Sequence, residues 1–166
     1  MTNSSPAKSL PWNRPDHIGL AVNILVPLAL CLLVNWLVFS TGMRGTEGEA
    51  LGLWYKPPGW AVGSVWVVLY ILYGVARWSA RKDGGADTRA AGWVTFLILW
   101  GLAYPFITFG FDIWIGAIAN VVSLLFTVLA LLVCAKISRR AFYYLLPSMM
   151  WECFAVYLGF ATIAAL

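Results

Sequence analysis

Charge is what this sequence has least of. Of its 166 residues only 11% are Asp, Glu, Lys or Arg, against 61% hydrophobic, and the mean hydropathy is +0.80. A folded domain of this size leaves a large share of its surface in water, and the chain lacks the polar residues to cover one. A soluble globule is excluded, and a lipid bilayer is the solvent the composition fits. Histidine occurs once, at His17, so a membrane haem protein with paired axial histidines is excluded by count. Lys8, Lys56, Lys82 and Lys136 lie in the tail, loops or segment ends, which leaves no buried lysine for a retinal Schiff base. Cys31, Cys134 and Cys153 are odd in number, lie in or at the edge of apolar segments and share no metal-ligand spacing, so they read as packing residues. A pI near 9.1 would invite nucleic acid, but the basic residues cluster at segment ends, where they set membrane orientation; no nucleic-acid partner is expected.

The apolar residues gather into five segments. A polar, proline-bearing tail over residues 1–17 is expected to be flexible, and a membrane domain follows over 18–166. The crossings are predicted from about Ile18 to Phe39, Gly59 to Ala80, Ala90 to Phe109, Ile113 to Ala135, and Ala141 nearly to Leu166. The first is too long for the apolar core of a signal peptide and lacks a small-x-small exit site, so it reads as a retained helix. Pro27, Pro105 and Pro147 fall inside crossings and predict kinks. Arg81-Lys82-Asp83-Gly84-Gly85 is expected to break the chain after the second crossing. Nine of the eleven Lys and Arg residues fall on the tail side and two, Arg44 and Lys56, on the other. The positive-inside rule then puts the N-terminus in the cytoplasm and the C-terminus outside, in what we expect to be a prokaryotic cell membrane.

Tryptophan is what the chain has in excess, ten in all. The double proline Pro57-Pro58 opens an apolar helix that carries Trp60, Trp66 and Trp78, with Trp54 just ahead of it. Trp12, Trp36, Trp78, Trp93 and Trp114 sit where a membrane-boundary belt is expected. Trp66, Trp100 and Trp151 lie deeper, where an indole N–H has no water and wants a partner; packing and ligand contact both satisfy that. Glu152, near the middle of the fifth crossing, is an intramembrane acid that faces either a structural hydrogen-bond partner or a functional polar site. Asp112, at a turn, reads as a helix cap. Ala155 with Gly159 and Ala161 with Ala165 are small residues four apart that favour close helix packing or a dimer.

Two stretches resemble the TspO/MBR family, the tryptophan-rich sensory proteins related to the mitochondrial translocator protein (peripheral benzodiazepine receptor). They are Pro57-Pro58-x-Trp60-x-Val62-Gly63-x-Val65-Trp66-x-x-Leu69-Tyr70, continuing to Gly74, Ala76 and Trp78, and Pro147-x-x-x-Trp151-x-x-Phe154-Ala155-x-Tyr157-Leu158. The resemblance covers about residues 18–166. It implies an all-α bundle of five transmembrane helices, often a homodimer, with a pocket between helices under the loop that follows the first. It also implies a porphyrin ligand such as protoporphyrin IX, with a sterol as a further possibility, and no required cofactor. Trp66 and Trp151 match the family's two pocket tryptophans. Trp60, Tyr70, Trp100, Phe154, Ala155, Pro105 and Trp54 complete the expected ligand-binding set, and from their charge alone Arg44 and Lys56 at the loop are expected to hold the ligand's propionates. No metal site and no catalytic residue are assigned. The sequence departs from the family pattern at Trp100, Ala103 and Gly159, where asparagine, tryptophan and asparagine are usual, at Glu152, where a neutral residue is usual, and by one residue in the first-loop tryptophan.

The expected function is a membrane receptor or carrier for a hydrophobic planar ligand, in tetrapyrrole transport or stress-linked regulation. Two alternatives stay open: a light-dependent porphyrin-degrading enzyme, and an ion-coupled small-solute transporter using Glu152.

Overall fold

In the computed structural model, residues 10–42, 55–109 and 111–166 are described. Five helices long and apolar enough to cross a membrane follow a 3-10 turn at Pro11–Asn13: α1 His17–Thr41, α2 Gly59–Gly84, α3 Arg89–Thr108, α4 Ile113–Ile137 and α5 Arg139–Ala164. Among the described residues there is no strand. The all-α membrane fold read from the sequence is the fold observed.

Three of the five helices begin at a capping side chain. Asp16 caps α1 by accepting from the Gly19 amide, Asp112 caps α4 by accepting from Trp114, and Ser138 caps α5 by accepting from Ala141. The predicted break at residues 81–85 is a correction. α2 runs through Arg81-Lys82-Asp83 to Gly84 and stops only at Gly85, whose φ of +56° suits glycine. Basic side chains stabilise the last turn of a helix, and Arg81 donates to the Gly85 carbonyl at 3.1 Å.

Around the bundle the packing order is α1, α2, α5, α4, α3, with α1 also reaching α3. The buried core is concentrated toward the tail-side end, where Ala76, Ala80, Ala90, Ala91, Ala130 and Ala141 let the helices approach closely around Tyr73, Val94 and Leu145. α1 and α2 meet most tightly at Gly74: a Cβ there would lie 2.3 Å from the Asn23 carbonyl oxygen. Toward the loop-side end aromatics replace alanine between α2 and α3, while α4 and α5 still meet closely at Ala117 and Gly159. Residues 10–16, part of the expected flexible tail, are held by a structured network described below.

Candidate functional site

Among the described residues two hollows flank α2, and the period of the helix explains why they are separate. Val65, Val68 and Leu69 share one face and look toward Pro147, Met150, Trp151 and Phe154, which share a face of α5 at the same kind of spacing. Between them lies an apolar groove of about 530 Å³. The Trp151 and Phe154 rings stand 5.7 Å apart, tilted by 48°. Phe154 is partly exposed on the bundle surface, where lipid tails would lie.

Trp66 and Tyr70 lie on the neighbouring face of α2 and enter a different space, between α1 and α3. Gly101, Leu102 and Pro105 of α3 and Cys31 and Asn35 of α1 close around them, leaving only about 20 Å³. The Tyr70 hydroxyl donates to the Ile98 carbonyl at 3.1 Å. The Trp66 ring lies 6.1 Å from that of Tyr70 and 6.3 Å from that of Tyr104. Gly101 makes the fit possible, since a Cβ there would come within 2.8 Å of the Tyr70 hydroxyl oxygen. The structure thus brings Trp66, Tyr70 and Pro105 together in one filled slot and Trp151 and Phe154 together in one open groove. The two hollows share no lining residue.

The remaining expected site residues are engaged elsewhere. Trp100 donates its indole N–H to Ser123 on α4 at 2.8 Å and packs edge-on against Phe126. The Ala155 carbonyl accepts from Asn120 at 3.1 Å. Gly159 packs against Ala117, so this small-residue face of α5 is used inside the chain, against α4. Trp60 is largely exposed in the first turn of α2. Trp54 and Arg44 lie outside the described residues, as does most of the loop expected to cover the pocket. Glu152 is buried, and Thr127 donates to its Oε1 at 2.9 Å.

Sequence reasoning overlooked the side of α4 that serves these contacts. Asn120, Ser123 and Thr127 recur at i, i+3 and i+7, a one-faced polar stripe in an otherwise apolar helix, and that spacing was the available signal. Besides its bond to Ala155, Asn120 accepts a hydrogen bond from Tyr104, while the Tyr73 and Ser148 hydroxyls bond each other across α2 and α5.

A second overlooked network sits at the tail-side end. Arg77, counted from the sequence as a boundary charge, is 5% exposed. Its guanidinium donates to Thr95 Oγ1 at 2.7 Å, Asn23 Oδ1 at 2.6 Å, the Trp12 carbonyl at 2.8 Å and Asn13 Oδ1 at 3.1 Å, and lies 4.0 Å over the Trp12 ring. Asn23 returns two donations, to the carbonyls of Trp12 and Gly19. Trp78 adds a bond to the Asp16 carbonyl, and the Gly19 amide holds the Asp16 carboxyl below the usual carboxylate range. In the loop between α2 and α3, Arg89 pairs with Asp87 and pulls its carboxyl down to about 2.

Comparison with known proteins agrees with this architecture. The model of the TspO/MBR family matches residues 23–164. The Tryptophan-rich protein TspO of Chlorobaculum tepidum is 30% identical over 82% of this chain and 93% of its own. Its namesake from Archaeoglobus fulgidus is 29% identical over 84% and 96%, and the uncharacterized membrane protein YtaB of Bacillus subtilis is 29% identical over 64% and 70%. With five apolar crossings, both signature stretches in place and a family match over most of its length, the chain is a multi-pass membrane protein that belongs to the TspO/MBR family.

Proposed function

We propose that the protein is a membrane receptor or carrier for a flat hydrophobic ligand of the porphyrin class, acting in tetrapyrrole transport or stress-linked regulation. The observation that carries this reading is the groove between α2 and α5. Its volume of about 530 Å³ is that of a small-molecule site, its lining is apolar, and an indole forms one wall. A conjugated macrocycle gains both burial and ring contact there. Because the groove opens on the lipid-facing surface, a ligand dissolved in the bilayer reaches it without crossing water. Trp151 and Phe154 are the rings it meets first; Trp66 and Tyr70, with Pro105, line a second, filled slot between α1 and α3. By sequence Arg44 and Lys56 are the basic residues between α1 and α2, and their charge suits the propionates of such a ligand.

The nine-to-two distribution of basic residues supports an N-terminus in the cytoplasm and a C-terminus outside, in a cell membrane. A homodimer belongs to the same reading, through faces other than the α5 surface already packed on α4.

The test is a titration of purified protein with protoporphyrin IX, followed by quenching of tryptophan fluorescence. Saturable binding is expected, weakened roughly tenfold by Trp151→Ala, the upper end of what an aromatic pair contributes, and less by Trp66→Ala. Binding left unchanged by both substitutions together would overturn the groove as the site. Progressive, light-dependent loss of the porphyrin absorption would move the assignment from carrier to degrading enzyme.

A further inference from the structure

Glu152 stands near the middle of α5, about 20 Å from either end at 1.5 Å rise per residue. Thr127 donates to Oε1, whereas Oε2 is fully buried and has no hydrogen-bond partner. The groups facing the carboxyl are Thr127 from α4, Ser148 one turn earlier on α5, Tyr73 from α2 and Tyr104 from α3. All four carry hydroxyls and none is a cation. The ion pairs among the described residues are Arg14–Asp16 and Arg89–Asp87, and Arg77 directs its donors to Thr95, Trp12, Asn13 and Asn23.

An ionised carboxylate in this place would put a bare anionic oxygen at the centre of the bilayer with nothing to neutralise it, an arrangement membrane proteins avoid. A neutral acid fits instead. Its carbonyl oxygen is Oε1, which accepts from Thr127. Its hydroxyl is Oε2, and the Ser148 oxygen, already bonded to Tyr73, keeps lone-pair capacity to receive that proton after a small rotation.

We propose that Glu152, set between Thr127 and Ser148, is an intramembrane proton-binding site, loaded in the packed bundle and emptied when α4 and α5 part. On emptying, the Oε2–H bond breaks, the proton passes to water admitted between the helices, and the electron pair stays on the carboxylate. The site shares a helical turn with the groove: Pro147 and Trp151 precede Ser148 and Glu152 by one residue each, on the adjoining face of α5. A motion of α5 away from α4 carries Pro147 and Trp151 with it, so proton release and the shape of the groove become linked. The proton site itself does not depend on what the groove binds.

Infrared difference spectroscopy on ligand-free protein in liposomes tests it. A carbonyl stretch of a protonated carboxylic acid is expected near pH 7, well above the ordinary carboxylate range of about 4. It should vanish in Glu152→Gln, shift to higher frequency in Thr127→Val, where the carbonyl loses its donor, and ignore added sodium. Absence of the band in the folded wild-type protein would overturn the proposal. So would its bleaching by sodium at constant pH, which would make the site one for a metal cation. If Glu152→Gln does not fold, the Thr127→Val shift alone assigns the band, and an unmoved band in that variant sinks the idea.

Discussion

Arg77 and Glu152 are the two charged residue types the described bundle buries most deeply, and it buries them by opposite means. Arg77 keeps its charge because α1, α3 and the preceding turn bring it four acceptors and an aromatic face. A guanidinium cannot shed its proton, so the fold must supply every partner. Glu152 has one donor and one orphan oxygen. A carboxyl has a second way out, since it can take up a proton, and the fold leaves it unfinished. The tail-side end of the bundle is therefore a fixed clamp, whereas the middle of α5 retains a group whose state can change.

Substitutions separate the two regions most sharply at the clamp. Arg77→Ala leaves the side-chain oxygens of Asn23 and Asn13 without their donor, at roughly 1–3 kcal/mol for each acceptor stranded. It should give the largest fall in thermal stability in detergent, and Arg77→Lys should rescue it poorly, because an ammonium cannot fork across the same acceptors. Restoration of wild-type stability by lysine would show that the charge, not the geometry, is what matters. Next comes Gly74→Ala, which drives a methyl against the Asn23 carbonyl and separates α1 from α2 at a cost of about 1–3 kcal/mol; unchanged melting would refute the close crossing.

At the other region the effects shrink. Thr127→Val removes one hydrogen bond inside the membrane and should cost about 0.5–1.5 kcal/mol by the same melting measurement. Glu152→Gln should change stability less than that, because it swaps one neutral group for another of the same shape. A loss as large as that of Arg77→Ala would mean that Glu152 is ionised and paired. The smallest effect is a pH dependence at the N-terminus of α1. Asp16 has a folded pKa below its ordinary value, so its stabilising contribution is present above about pH 4 and is lost as pH falls through the lowered value. The protection of the Gly19 amide, its hydrogen-exchange rate relative to an unstructured amide at the same pH, should fall at acid pH in the wild type and already be low at neutral pH in Asp16→Ala.

How far the sequence reached can be judged residue by residue. The crossings that hold Pro27, Trp66, Trp100, Ser123 and Trp151 are all legible, since an apolar run of bilayer length is a local property. So is the cap at Asp112, which rests on a side chain two residues from its donor. Arg77 was misplaced to the boundary because an arginine near the end of an apolar run looks like a snorkelling charge. Only the approach of Asn23, Thr95 and the Trp12 carbonyl, contributed from three other parts of the chain, makes its burial tolerable. The tryptophans behaved in the same way. Their depth could be counted along the helix, but Trp66 fills a slot against α3 while Trp151 walls a groove against α2.

By itself, then, the sequence determined the solvent, the number of crossings and the family, because length, hydropathy and motif spacing act along the chain and add up without regard to neighbours. Tertiary structure alone decided which indole is packed and which is open, and which buried ionisable group is fully bonded and which is left with a free oxygen. Each residue along a helix turns its side chain by about 100°, so a partner is chosen by how the helices are rotated and how closely they approach. Those quantities are settled only when all five pack together.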